Sequence, residues 1–491
     1  MLFNTIDFAI FFIVVLSTIV IIKNRKFQHL FLLFASYFFF YYSSNYLITL
    51  LIFTTIWDYY LGNAISKSVD IKKKKIILII TIAGNLGLLG FFKYTDFVIT
   101  QFNILGNVFD LNTHIPLLNL AFPIGISFYT FHSLTYIIDI YRGHITPVKT
   151  LREYALFVAF FPQLVAGPIL RAREFLPQLR EKIEQVEAGT RLRQILINNS
   201  NLKFGITLMA FGFLKKMFFA DNISFMVNDI FNYPIGLDSF TIILGAIGFG
   251  IQIYCDFSGY TDIAIGAAMI MGFKIPANFN KPFFARSPSD FWRKWHISLS
   301  TWVRDYLYLP LVFKNRKSSI RILSSLMITF FLLGLWHGAG WNYIIFGVLH
   351  GIFVSADTLI RKKVSSEKLN SFFKTKLGIL SSIFVTQYLV FFAFIAFRVK
   401  DMEHMAYSLQ KYVVIDFRTI DTMTFISNHK FSFIILIIFV ILHFISYRKV
   451  NLPEQISKFG LAKWTIFLAS VMLIIFFTFN GSKADFIYFQ F

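Results

Sequence analysis

The sequence predicts an all-α, polytopic membrane protein, and three observations carry that prediction. Of 491 residues, 56% are hydrophobic and only 15% are charged, against about 25% charged in soluble domains. A chain with this much apolar surface has the bilayer as its natural solvent. Apolar stretches near the roughly 20 residues needed for a spanning helix recur from end to end, about twelve in all. The basic residues, which give a formal net charge of +21, fall in short loops between these stretches, as the positive-inside rule expects. With no basic–aromatic recognition module present, the charge argues for membrane topology and against nucleic acid. The reading is one membrane-embedded domain over residues 1–491 with no soluble appendage.

In chain order, the apolar run Phe8 to Ile22 precedes Lys23, Arg25 and Lys26. A cleaved signal peptide carries its charge first, so this run is the first span. The spans centre near residues 14, 36, 56, 84, 129, 211, 253, 331, 351, 387, 440 and 472. If Lys23–Lys26 is cytoplasmic, the N-terminus lies outside. Successive pairs of spans then return the chain to the cytoplasm at Lys72–Lys75 and at Arg142–Arg152. The loops falling on the other side, Ser43-Ser44-Asn45 and Asp221 to Asp238, carry no basic residues. About twelve spans place the C-terminus outside as well. Two segments do not fit a simple span. Tyr154 to Pro168 is apolar but would have to enter and leave on one side, and Phe291 to Val312 is interrupted by Arg293, Lys294, His296, Arg304 and Asp305. Both are expected to be re-entrant or interfacial, which membranes tolerate only where protein buries the backbone or a wet cavity meets it.

Ionisable groups inside such a protein are costly and are the first functional candidates. The single cysteine, Cys255, excludes an intrachain disulfide and reads as a small buried residue in a span. There is no His-Glu-x-x-His, Gly-x-Ser-x-Gly or P-loop, hence no protein-built zinc site or serine-hydrolase elbow. Among ten histidines, His29, His114, His144, His404 and His429 lie near loops and read as solvated. His132 and His443 read as packing residues. His337 differs, because it follows an apolar run within Gly334-Leu335-Trp336-His337-Gly338-Ala339-Gly340-Trp341-Asn342. The glycines there allow backbone and substrate to approach closely, and the two tryptophans are suited to wall a site. His296 lies in Asp290-Phe291-Trp292-Arg293-Lys294-Trp295-His296. Its cations suit phosphates and its indoles suit stacking on a base, though an amphipathic interfacial helix has the same composition.

These segments, taken with others in order along the chain, resemble the membrane-bound O-acyltransferase superfamily. The others are Leu89–Tyr94, Pro123–Phe131, Asp139–Gly143, Phe161–Ile169 and Asp256-Phe257-Ser258-Gly259-Tyr260-Thr261-Asp262. More narrowly, the chain resembles the bacterial alginate O-acetylation branch, which includes membrane acetyltransferases acting on peptidoglycan. The D-alanyl transfer protein of teichoic acid modification is a shorter cousin. The resemblance implies a catalytic core over about residues 120–360, with the catalytic residue at His337 and a second important residue at His296. It also implies acetyl-CoA arriving from the cytoplasm, no bound cofactor, and delivery of the acyl group on the outer side of the inner membrane.

Further expectations follow from that resemblance. Trp292, Arg293, Lys294 and Trp295 are donor-binding candidates, and Asn342, Trp336 and Asp256 are supporting residues. The sequence ends Phe486-Ile487-Tyr488-Phe489-Gln490-Phe491, where related systems suggest an acyl shuttle at the tyrosine. An aromatic anchor at the membrane interface is the plainer reading of that segment. The implied partners are membrane lipid, a polysaccharide acceptor and a periplasmic SGNH-type acetyltransferase. Richness in Lys, Ile, Asn and Phe fits an AT-rich genome and leans toward peptidoglycan or another envelope glycan over alginate. A transporter or flippase for lipid-linked sugars is the rival from another class. It calls for repeat symmetry, and no internal repeat is visible.

Overall fold

A chain in hydrocarbon must satisfy its backbone polar groups internally, and a helix does so within one segment. The computed structural model describes residues 1–111, 114–164, 167–180, 192–313, 318–363, 371–416, 418–447, 451–479 and 486–487, and helix dominates them. Among the described residues the only β-pairing is an isolated bridge between Arg180 and Leu192. All twelve expected span centres fall within helices. By length and apolar content, however, eight helical stretches among the described residues qualify to cross a bilayer, one of them the run Arg25–Lys67. The helix Ile6–Ile21 is apolar but, at 16 residues, shorter than a full span. The protein is a multi-pass membrane protein, and its chain forms two compact units.

The first unit comprises Met1–Met209 and Ile263–Pro276. It holds α1 (Ile6–Ile21), α2 (Arg25–Ser44), α3 (Ile48–Lys67), α4 (Ile71–Val108), α5 (Ile126–Tyr141), α6 (Leu151–Ala159), α7 (Phe161–Leu164), α8 (Ala172–Phe175) and most of α9 (Asn199–Phe213). Thr5, Asn24 and Asp70 cap α1, α2 and α4 by accepting first-turn N–H groups. The segment expected to be re-entrant at Tyr154 is buried from Tyr154 to Leu164 and breaks at Phe160 between α6 and α7. The Phe161 N–H freed by the break donates to Ser36 Oγ at 3.2 Å, so the break does not leave that donor stranded. His29, expected to be solvated, is instead buried, with Nε2 2.9 Å from the Arg193 carbonyl oxygen. A strand-like stretch 167 residues downstream packs on α2 there, since Gln28 and Ile195 also exchange hydrogen bonds. A local reading of the sequence has no access to that contact.

The second unit comprises Ala210–Asp262 and Ala277–Phe491. A π-helical turn, Leu214–Ala220, leads into α10 (Asp221–Asn232) and then most of α11 (Ser239–Ile270). The loop expected from Asp221 to Asp238 is thus largely a helix. Ile223, Met226, Val227 and Ile230 recur at helical spacing and bury one face of it. Short helices α12 (Pro288–Lys294), α13 (Ile297–Val303) and α14 (Leu309–Phe313) replace a span over Phe291 to Val312, as the charges in that segment require. Then come α15 (Ser319–His337), α16 (Trp341–Lys363), α17 (Lys376–Arg398), α18 (Met402–Val413), α19 (Thr419–Asn428), α20 (Lys430–Tyr447) and α21 (Leu461–Thr478). The α15–α16 hairpin closes on two glycines, and a Cβ on Gly334 would lie 2.9 Å from Gly347 Cα. Small residues substitute here for the hydrophobic drive that lipid removes.

Candidate active site

The candidate site lies in the second unit and is built on the α15–α16 turn. His337 is the last residue of α15, because Gly338 is fully extended (φ −170°) and ends the helix. A Cβ on Gly338 would lie 2.9 Å from Tyr343 Cζ, so only glycine admits the tyrosine ring beside the turn. The His337 imidazole is 5% exposed and packs against the rings of Phe346 and Phe397 at 5.6 and 5.2 Å. Asn342 is buried in the first turn of α16. The opening N–H groups of a helix lack intrahelical partners and carry its positive end. A developing oxyanion near His337 would therefore meet donors already in place.

Trp336 joins the two expected histidines. Its ring centroid lies 4.9 Å from that of His337 and 6.2 Å from that of His296. His296 is 0% exposed and caps α13 in the left-handed backbone region, at φ 43° and ψ 53°. The break it occupies is stitched by Asn278. The Ile297 N–H donates to the Asn278 carbonyl at 2.8 Å, and the Ser298 hydroxyl donates to Asn278 Oδ1 at 2.6 Å. A short, strained turn thereby delivers a histidine into a dry aromatic wall, with Phe257 4.6 Å away on its other side.

The four donor-binding candidates separate. Arg293 and Lys294 line an open cavity of about 380 Å³ together with Phe284, Arg286, Asp290, Arg361 and Tyr447. Trp292 and Trp295 are buried elsewhere. Trp295 stacks on Phe291 at 5.3 Å, and the Trp292 indole N–H donates to His350 Nδ1 at 3.2 Å. Because an indole N–H only donates, His350 must carry its proton on Nε2. The cavity's aromatic wall is Phe284 and Tyr447, stacked at 4.2 Å, rather than the two tryptophans. Asp290 keeps its charge here. Burial pushes its carboxyl up, but hydrogen bonds from Lys294 and the Arg286 N–H outweigh that and hold it below its ordinary range.

Asp256 is 1% exposed, on α11. Its Oδ1 lies 2.8 Å from Lys216 Nζ, which also lies 2.8 Å from Asp221 Oδ1. Its Oδ2 accepts the Ile487 N–H at 2.7 Å. Tyr488, the shuttle candidate, lies outside the described residues. Cys255 is buried, as expected of a packing residue.

The profile of MBOAT, the membrane-bound O-acyltransferase family, matches residues 142–385, a stretch that contains His296 and His337. A probable alginate O-acetylase of Pseudomonas putida is 33% identical over 373 residues, 75% of this chain and 73% of that protein. A peptidoglycan O-acetyltransferase of Helicobacter pylori is 33% identical over 380 residues, 72% and 68% of the two chains. A teichoic acid D-alanyltransferase of Bacillus subtilis is 31% identical over 303 residues, 59% and 72% of the two. The chain belongs to the membrane-bound O-acyltransferase family.

As a membrane O-acyltransferase, the protein has site features that sequence reading passed over. His350 and Asn278 were not singled out, and neither was Lys216. Lys216 carried a usable signal, being an ionisable residue within an apolar stretch. Asn278 carried none, because its role depends on where a helix 18 residues later happens to break.

Proposed function

We propose that this acyltransferase moves an acetyl group from acetyl-CoA, arriving from the cytoplasm, to a hydroxyl destined for an exported or cell-wall glycan. The observation that carries this reading is the Trp336 ring lying against both His337 and His296 at the mouth of the α15–α16 turn. His337 takes the proton of the acceptor hydroxyl as general base, a task for which neutral imidazole is suited near pH 7. The hydroxyl oxygen attacks the thioester carbonyl. The Asn342 amide and the N–H groups at the start of α16 receive the oxyanion. The C–S bond breaks as the carbonyl re-forms, and the imidazolium returns its proton to the departing thiolate. His296 is the second functional imidazole of the centre. Arg293 and Lys294, in the basic cavity, meet the donor's phosphates.

The first acceptor in this reading is the Tyr488 hydroxyl, which passes the group to a periplasmic SGNH-type partner. The relatives' names support a glycan acceptor, either peptidoglycan or an alginate-like polymer. Both termini face the periplasm and the membrane is the inner one. The test compares glycan acetyl content in a deletion strain complemented with wild type or His337→Ala. Loss of at least about 100-fold in transfer is expected for removal of a general base. Acetylation undiminished in the alanine strain rejects the reading. Mass analysis of the product distinguishes acetyl from D-alanyl, the group named for the Bacillus subtilis relative.

A further inference from the structure

A buried polar cluster in the second unit serves no step of the chemistry above. Lys216, Asp221 and Asp256 are all buried, and the lysine lies 2.8 Å from a carboxylate oxygen of each aspartate. Burying charges in this way costs more than an apolar core of the same volume unless every lone pair finds use. Here the remaining Asp256 oxygen is used by a main-chain group far away in sequence, the N–H of Ile487 at 2.7 Å. The π-helical turn Leu214–Ala220 makes this possible, because its wider coil sets Lys216 between the two carboxylates. The segment so held is buried too. The Phe486 ring stacks on Tyr260 at 4.6 Å and lies 5.9 Å from Phe257, which in turn lies 4.6 Å from His296.

We infer that Asp256 is a positioning residue whose carboxylate, clamped by Lys216, fastens the Phe486–Ile487 segment to the aromatic wall behind His296. Ring packing alone would bury Phe486 without fixing its register. A single buried acceptor aimed at one backbone N–H fixes it to the residue. The residue so held is the immediate chain neighbour of Tyr488. The inference rests on the reading of His337 and His296 as the acyl-transfer centre.

The test uses the full-length protein in native membranes with Cys255→Ser, so that no native thiol remains. Tyr260→Cys and Phe486→Cys replace the stacked rings and so remove that ring contact from the docking. Oxidation followed by maleimide labelling then reads the docked fraction as protected thiol. Ile487→Pro removes the N–H donor, along with the buried isoleucine side chain and some backbone freedom at Phe486, and leaves the buried charges in place, so it remains informative if Asp256→Ala does not fold; Ile487→Ala, which keeps the N–H, controls for the lost side chain. Protection is expected to fall about tenfold or more in Ile487→Pro and Asp256→Ala, the scale of a lost charge-assisted hydrogen bond. Asp256→Asn should fall between the parent and Asp256→Ala, because its single amide oxygen cannot meet both Lys216 and the Ile487 N–H. Glycan acetylation should fall with protection and return in Ile487→Pro once the disulfide is formed, which a merely structural defect would not do. Protection unchanged in Ile487→Pro overturns the inference, and so does acetylation indifferent to lost docking. The crosslink involves no acyl chemistry, so failure of the acyl-transfer reading shows in the His337→Ala control and not in the crosslink yield.

Discussion

His296 carries a backbone conformation that side chains other than glycine, asparagine and aspartate rarely adopt, at φ 43°. Holding it there costs about 1–3 kcal/mol, offset by the Asn278 hydrogen bonds on the following turn. Asparagine tolerates that region and valine does not. His296→Asn is therefore expected to lower the melting temperature less than His296→Val, while both lose acyl transfer. Thermal unfolding of the purified protein in detergent, alongside the glycan assay, checks this. Equal destabilisation by the two would mean the backbone is not strained. Gly338 is constrained sterically, since its Cβ would meet the Tyr343 ring. Gly338→Ala should destabilise by about 1–3 kcal/mol, as overpacking does. Adding Tyr343→Leu should recover most of that loss, a coupling that a thermal double-mutant cycle measures. At this scale the His337 and His296 segments and the glycines around His337 stand out in the sequence as candidates, because unusual residues in an apolar run announce themselves. His350 was not, because its partner Trp292 lies 58 residues away.

Helix α12 shows how an element can be poised by charge. Ser287 caps it by accepting the Asp290 N–H at 3.2 Å, and Asp290 in turn accepts the Arg286 N–H at 3.0 Å and pairs with Lys294 at 2.8 Å. The native carboxyl is held below its ordinary range. The native state therefore binds this proton more weakly than the unfolded chain, and stability rises with pH where the group titrates. The contribution is complete above the unfolded value of about 3.9 and is lost as pH falls through the lower native value. Asp290→Asn should melt below wild type at pH 5.5, with the gap closing toward pH 3. Melting curves across that range check the sign, and a gap that widens on acidification would refute it. The elements themselves were largely readable. Apolar period placed the long helices, and the charges of Phe291 to Val312 announced that no simple span runs there. Helix α10 escapes a search for spans because its 12 residues are too few to cross a bilayer, and only its amphipathic spacing marks it. The π-helical turn leaves no compositional trace, since one extra residue per turn is a matter of geometry.

Across the whole chain, the distribution of cations predicts how the protein enters the membrane, a prediction read from the sequence as a whole. Lys72–Lys75 open the long helix α4 behind the Asp70 cap, and Arg142–Arg152 follow α5. Residues Ser43 to Tyr46, between α2 and α3, carry no cation. Lysine at a helix centre costs about 2.5–3.5 kcal/mol to insert, so a cluster of four is effectively confined to the side on which it is made. Single cysteines in a Cys255→Ser background test the resulting orientation, the native thiol being fully buried. Tyr46→Cys, at a site 69% exposed, should react with a membrane-impermeant maleimide in intact spheroplasts. Val69→Cys, at a site 98% exposed, should react only after permeabilisation, and the exposed His144 site should follow Val69. Reaction of Val69→Cys in intact spheroplasts would invert the topology and, with it, the side from which a CoA thioester could arrive. If the four lysines set the orientation, changing them together to glutamine should make Val69→Cys partly reachable from outside. If orientation instead follows the first span and its Lys23–Lys26 cluster, the same change leaves labelling as it was. The two results therefore separate a local anchor from a rule summed over the chain.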